Sequence, residues 1–243
     1  MQALEVLETL DSPGASGAVR SAYDAELDAR GFASDPAQLR AVDALERCAR
    51  EWQDYLDQRS TKLKRMINRP SIPRGVYMHG GVGRGKSFLM DSFFNAVPLK
   101  RKVRLHFHEF MREVHRQLQE LQGVVNPLDE LARKIARRYR MICFDEFHVS
   151  DVTDAMILHR LLSALFDNRV GFVTTSNFHP DNLYPGGLHR DRILPAIELL
   201  KSRLEVIAVD NGTDYRSRTL EQAGCDHDAN HLDTGYRGES LKS

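Results

Sequence analysis

The chain has 243 residues, 42% hydrophobic and 28% charged, which suits one substantial globular domain and argues against a disordered chain. No apolar stretch approaches the ~20 residues that a membrane-spanning helix needs, and the acidic start, poor in arginine, is unlike a signal or transit peptide. The isolated residues Cys48, Cys143 and Cys225 predict neither a disulfide framework nor a zinc site. We therefore expect a cytoplasmic protein.

The formal net charge of zero hides three segments of different sign. Residues 1–57 carry a net charge of −7, residues 58–140 one of +13 and residues 141–243 one of −6. The basic residues of the middle segment cluster at 62–65, 100–102 and 133–138. Because no aromatic residues interleave with these clusters, we interpret them as solvated helix faces that complement neighbouring subunits, not as a nucleic-acid groove.

The order of predicted elements indicates an α/β fold. After an N-terminal segment (1–34), the cap Asp35-Pro36 and apolar residues three and four apart predict one long amphipathic helix and a linker over 35–74. Strands then alternate with helices in a core over 75–220, which predicts a parallel sheet with helices on both faces. Residues 221–243 lack apolar periodicity and are expected to form a disordered tail. The five predicted strands are 75–79, 103–107, 141–144, 170–175 and 204–209.

A glycine-rich run follows the first predicted strand of this core and opens a helix. It matches the phosphate-loop pattern G-x-x-x-x-G-K-[ST] with Gly80, Gly81, Val82, Gly83, Arg84, Gly85, Lys86 and Ser87. Glycines allow the backbone N–H groups to turn inward around phosphates, and the helix N-terminus adds donors and a positive dipole end. We expect Lys86 to reach the β and γ phosphates and Ser87 to coordinate Mg²⁺, so the chain is predicted to bind a nucleoside triphosphate.

Two carboxylates end the third predicted strand. Four apolar residues (141–144), as a strand covered on both faces requires, precede Asp145 and Glu146. The carboxyl ends of parallel strands carry the site, so these acids are expected beside the phosphate loop. Asp145 would hold Mg²⁺ and Glu146 would orient and polarise an attacking water, which favours hydrolysis over transfer to a substrate hydroxyl.

The fourth predicted strand, 170–175, ends in polar residues. Asn177 would point toward the γ-phosphate or the attacking water, because strand ends of one parallel sheet converge on one crevice. The segment 177–180 does not match the Asn-Lys-x-Asp run of guanine-specific proteins, which predicts a preference for ATP.

Taken together, these motifs resemble the ZapE family of AAA+-like ATPases, whose mitochondrial relatives are of the Afg type. The resemblance covers roughly residues 20–222, and it implies a P-loop NTPase fold. It rests on segments 80–87, 104–115, 143–151, 175–177, 187–190, 194–197 and 214–216.

The resemblance also implies roles for individual residues. Lys86 and Ser87 are the nucleotide and Mg²⁺ residues, Asp145 and Glu146 the metal and water residues, and Asn177 the sensor. Arg190 resembles an arginine finger supplied to a neighbouring subunit, with Arg192 as the second candidate, which implies a homo-oligomer. Family members continue into a helical lid, whereas the composition after Gln222 is unrelated, so we expect the C-terminal lid to be missing.

Three functions follow from this sequence. The first is a Mg²⁺-dependent ATPase that remodels a protein partner, in bacteria the division-ring machinery. The second is a module that binds ATP and occupies a partner but turns over poorly. The third is a helicase-loader-like ATPase on nucleic acid.

Overall fold

A computed structural model describes residues 17–31 and 34–209, which form a five-stranded sheet with helices on both faces. The strands are β1 (Gly75–His79), β2 (Lys102–His106), β3 (Met141–Asp145), β4 (Gly171–Ser176) and β5 (Leu204–Ala208). The helices are α1 (Ala18–Arg30), α2 (Pro36–Asp57), α3 (Lys62–Ile67), α4 (Lys86–Ala96), α5 (Phe107–Glu120), α6 (Pro127–Arg138), α7 (Val152–Asp167) and α8 (Leu194–Arg203). The predicted α/β fold is confirmed.

The sheet has the strand order β2-β3-β4-β1-β5, and all of its pairings are parallel. The chain leaves β1, forms β2 at the far edge, and returns through β3 and β4 before β5 pairs on the other side of β1. The strand order therefore reverses beside β1, and such a point opens a crevice at the carboxyl ends of the strands. The phosphate loop follows β1, the two acids end or follow β3, and Asn177 follows β4, so the topology gathers them at one edge.

The inner strands β1, β3 and β4 are almost wholly buried because both of their faces are covered. In β3, Ile142 and Phe144 pack into a core with helices α5 to α8, while Met141 and Cys143 pack into a second core with α1, α2 and α4. The alternation of side chains along a strand thus divides the hydrophobic residues between two cores.

Helix α2 lies close against the sheet because one strand residue has no side chain. A Cβ at Gly171 would lie 2.5 Å from Cζ2 of Trp52, a fully buried residue of α2. This close approach fixes α2, and α1 packs on it through buried Val19 and Tyr23.

The single long helix that the sequence predicted before Pro70 is two helices. Helix α2 ends at Asp57, and α3 begins after Thr61, whose hydroxyl accepts a hydrogen bond from the Lys64 N–H at 3.2 Å. A Ser or Thr side chain that caps a new helix competes with continuation of the preceding one, and apolar periodicity alone does not show this.

No helix within the described ranges is long and apolar enough to cross a membrane. The predicted tail over 221–243, the segment 214–216 and the expected absence of a lid concern residues outside the described ones.

Candidate functional site

The phosphate loop turns at glycines with left-handed backbones. Gly83 and Gly85 have φ angles of 79° and 80°, a conformation that costs other residues free energy. A Cβ at Gly85 would also lie 2.7 Å from Nε2 of Gln38. Helix α4 begins directly after this loop, so its unpaired N-terminal donors face the same cleft.

Lys86 and Asn177, predicted from separate motifs, meet in the structure. The Lys86 ammonium donates to the carbonyls of Gly80 and Gly81, both at 2.6 Å, and to Oδ1 of Asn177 at 3.1 Å. These contacts place the lysine between the loop and the end of β4, where a triphosphate held by the loop would lie.

Asp145 lies at the end of β3 with its side chain 14% exposed. Arg104 contacts both of its carboxylate oxygens, with Nε–Oδ2 at 2.6 Å and Nη2–Oδ1 at 3.4 Å. The same guanidinium donates to the Ser87 carbonyl at 3.4 Å and to the carboxylate of Asp91. Sequence analysis gave Arg104 no role, because its contact with Asp145 joins residues 41 apart in the chain and no local pattern reports it.

Glu146 lies beside Asp145 with a side chain that is 73% exposed. Its φ angle is 53°, a conformation that non-glycine residues adopt at a cost and that is enriched at functional sites. Its N–H donates to Oγ1 of Thr175 at 3.2 Å, and its Oε2 lies 4.0 Å from Nδ1 of His106. The backbone turn thus aims the carboxylate into the cleft, away from the core.

Lys86, Glu146 and Asn177 line a cleft of 680 Å³ that has two walls joined by residues of α4, whereas Asp145 and Arg104 are not among the residues that line it. We name as the motif wall residues 82–87, Glu146 and 175–177, and as the helical wall residues of α1 and α2. The helical wall consists of Ala22, Glu26, Leu27 and Gln38. Sequence analysis did not predict the helical wall.

Gln38 connects the two walls. Its Nε2 donates to the carbonyl of Arg84 in the phosphate loop at 3.1 Å, and its Oε1 accepts from the Tyr23 hydroxyl at 2.9 Å. The Tyr23 ring stacks on Phe88 of α4 at a centroid distance of 5.8 Å. The loop is therefore held from outside by the two N-terminal helices.

Arg190 and Arg192 lie outside this cleft. Arg190 begins a single 3-10 turn, and α8 begins only at Leu194. The Arg190 Nη2 donates to the Asp181 carbonyl at 2.6 Å. The Arg192 side chain is 64% exposed and lies 3.5 Å from the Asp191 carboxylate. Within one chain, neither guanidinium reaches the phosphate loop's cleft.

Residues of the basic clusters contact carbonyls and carboxylates of the chain itself. Arg101 donates to the Arg137 carbonyl at 2.8 Å, and Arg133 pairs with Glu130 at 2.8 Å. Lys102 is buried and donates to the carbonyls of Phe94 at 2.5 Å and Val97 at 3.0 Å, and burial lowers the pKa of its ammonium. The position of Arg133 on α6 agrees with the interpretation of the clusters as solvated helix faces, whereas Lys102, which is buried in β2, does not fit it.

The oxygen groups near the phosphate loop fit Mg²⁺. Ser87 offers a hydroxyl and Asp145 a carboxylate, and hard cations such as Mg²⁺ prefer oxygen. Over residues 17–31 and 34–209, no group of three or more His, Cys, Asp or Glu side chains is arranged to hold a metal ion by itself. Since Mg²⁺ commonly binds through one or two protein groups and substrate phosphates, this donor set suits an ion shared with a nucleotide.

The family model of the AFG1-like ATPases matches residues 18–237. The chain is 46% identical over 190 residues to "Cell division protein ZapE" of Escherichia coli K12, which covers 78% of this chain and 48% of that protein. The chain thus spans about half the length of the curated relatives that it matches first.

Solved structures share the fold. Domain III of the replication initiation protein DnaA from Thermotoga maritima aligns with a TM-score of 0.50 and 17% identity, covering 93% of this chain and 79% of that one. AMPPCP-bound DnaA from Aquifex aeolicus aligns with a TM-score of 0.50 and 13% identity, covering 81% of this chain and 54% of that one. At these identities the likeness establishes the fold alone.

Proposed function

Because the chain belongs to the family of AFG1-like ATPases, we propose that it binds ATP with Mg²⁺ in the 680 Å³ cleft. It then hydrolyses the bond between the β- and γ-phosphates. One observation carries the proposal: Lys86, Glu146 and Asn177 follow three different strands and still line the same cleft. Hydrolysis of a nucleoside triphosphate needs this combination of a loop that binds the phosphates and a carboxylate that activates water.

Each residue has a distinct task in this proposal. The N–H groups of the loop and of the first turn of α4 hold the phosphates, and Lys86 exchanges its carbonyl contacts for phosphate oxygens. Ser87 and Asp145 hold Mg²⁺, which offsets phosphate charge when it is bound. Glu146 accepts a proton from the attacking water, and Asn177 orients that water or the γ-phosphate.

The deciding test is turnover in Glu146→Gln. The substitution keeps the size of the side chain but removes the basic carboxylate, so we expect steady-state hydrolysis to fall by about 10²- to 10⁴-fold while ATP affinity stays within a factor of two. Glu109→Gln, an exposed glutamate on the first turn of α5, is the matched control and should turn over normally. Parental turnover in Glu146→Gln would remove Glu146 from the mechanism.

We extend the proposal to a homo-oligomer in which Arg190 reaches the ATP of a neighbouring subunit. Its support is that Arg190 is not among the residues that line the cleft of its own chain, since a finger acts in the adjacent site. An arginine finger is worth about 10³- to 10⁵-fold in turnover, so Arg190→Ala should bind ATP and hardly hydrolyse it. Mixing Arg190→Ala with Glu146→Gln subunits should restore activity, because some interfaces then contain both intact residues.

Co-assembly is measured separately by fluorescence transfer between labelled subunits. Co-assembly without recovery would show that Arg190 does not act across an interface. Repeating the mixture with Arg192→Ala tests the second candidate.

The proposed cellular role is remodelling of a protein partner in cell division. Its support is the name of the E. coli relative, "Cell division protein ZapE", at 46% identity. A cytoplasmic location is part of the same proposal. ATP-stimulated release of a bound division protein, absent in Glu146→Gln, would support it, whereas ATP binding without turnover by the parent would favour the module that only binds. Tight, salt-sensitive DNA binding would favour the helicase-loader alternative.

A further inference from the structure

Arg104 joins three parts of the site with one guanidinium. It lies in β2, which pairs directly with the strand that ends at Asp145. It contacts both Asp145 carboxylate oxygens, the Ser87 carbonyl and the Asp91 carboxylate. Ser87 and Asp91 belong to the first two turns of α4. The end of β3 is therefore tied to the helix that follows the phosphate loop.

This contact suits the rigid fork of an arginine. Two nitrogens meet two oxygens of Asp145, which fixes the plane of the carboxylate as well as its distance. Burial acts to lower the pKa of Arg104, but the hydrogen bond and charge of Asp145, with those of Asp91, raise the pKa above its ordinary value. The guanidinium is therefore permanently charged.

Asp145 keeps the capacity to bind a cation. A carboxylate offers about four lone-pair positions, and the neighbours of Oδ1 are more distant, with Arg104 at 3.4 Å and Thr175 at 3.5 Å. The two carboxylates of Asp91 and Asp145 outweigh the single charge of Arg104, so the group attracts a cation.

We propose that Arg104 is a positioning residue of the Mg²⁺ site, fixing the Asp145 carboxylate relative to Ser87. It thereby sets the Mg²⁺ concentration at which the nucleotide binds tightly. The inference rests on the proposed function, because it presumes that nucleotide and Mg²⁺ bind here. Loss of an outer partner of a metal ligand commonly lowers metal affinity by about 10- to 100-fold.

The experiment titrates Mg²⁺ into the full chain with a fluorescent ATP analogue. In Arg104→Gln the half-saturating Mg²⁺ concentration should rise by about 10- to 100-fold, and in Arg104→Lys, which keeps the charge but loses the fork, by less. The affinity for the analogue in EDTA should stay within a factor of two in both variants. A residue that only stabilises the fold would lower both affinities together.

The matched control is Arg47→Gln. Arg47 is similarly covered, at 26% side-chain exposure against 21% for Arg104, and it pairs with Glu51 and Glu205 away from the cleft. It should leave the Mg²⁺ titration unchanged. If Arg104→Gln does not fold, Arg104→Lys carries the test.

The outcomes separate the two hypotheses. Suppose that the parent binds the analogue in a Mg²⁺-dependent way. If folded Arg104 variants then need the same Mg²⁺ concentration as the parent, or less, this inference alone is overturned. An equal loss of affinity in EDTA overturns it as well, since Arg104 would then act on the nucleotide or the fold. If the parent binds no nucleotide at any Mg²⁺ concentration, the proposed function fails and this inference fails with it.

Discussion

The two walls of the cleft differ in how their positions are specified. In the motif wall, backbone groups and short polar side chains occupy places fixed by left-handed glycines and strand ends, as at Gly83 and Gly85. The helical wall comes from α1 and α2, and the side chain of Gln38 joins it to the loop. Phosphate recognition demands particular backbone geometry, whereas a helix face can close a cleft with many residue types.

The strongest test of this difference is Lys86→Ala in the motif wall. A charge-assisted hydrogen bond contributes about 1.5–3 kcal/mol, so ATP affinity should fall by about 10- to 100-fold. Calorimetry measures the affinity, with Lys62→Ala, an exposed residue of α3, as the control. Unchanged affinity in a folded Lys86→Ala protein would contradict the assignment of the phosphate loop.

Gln38→Leu tests the helical wall. It removes the neutral hydrogen bonds to the Arg84 carbonyl and the Tyr23 hydroxyl, each worth about 0.5–1.5 kcal/mol, so we expect ATP affinity to fall by about 3- to 10-fold. Gln53→Leu changes a glutamine of the same helix that bonds Asp57, and it should leave the affinity unchanged. A loss as large as that of Lys86→Ala would show that both walls hold the nucleotide equally.

The smallest expected effect is a difference between the alkylation rates of two buried cysteines. This difference tests whether the helical wall opens independently of the sheet. Cys48 of α2 and Cys143 of β3 are both buried; burial raises the pKa of Cys48 to about 12 and raises that of Cys143 well above its usual range. At pH 8 both thiols are therefore protonated, and only opening of the structure exposes them to alkylation.

In a Cys225→Ser background, iodoacetamide should label neither thiol in the native protein and both in denaturant. Equal protection would mean that α2 and the sheet open together. Much faster labelling of Cys48 would show that the helical wall detaches on its own.

The sequence predicted the sheet and the motif wall because each motif is local. Strand 141–144 and the acids after it are contiguous, and the parallel topology alone brings Glu146 and Asn177 to one edge. The sequence did not predict the role of Arg104 or Gln38, whose partners lie 41 and 46 residues away. Their residue types are ordinary for a strand and a helix, so only the fold reveals these contacts.

The break between α2 and α3 was missed for a different reason. Apolar periodicity indicates which face of a helix is buried, but the break depends on one hydroxyl at Thr61 that offers the backbone a new start. Periodicity changes little across such a break, so it does not report a capping hydrogen bond of this kind.

Lys102 gives the two ends of α4 unequal electrostatic surroundings. Its buried ammonium lies at the C-terminal carbonyls of Phe94 and Val97, where the helix dipole is negative, and the positive N-terminal end faces the cleft. The cation offsets one pole and leaves the other available to anions. The helix that begins at the phosphate loop is thus held at its far end by a strand residue that carries no recognised motif.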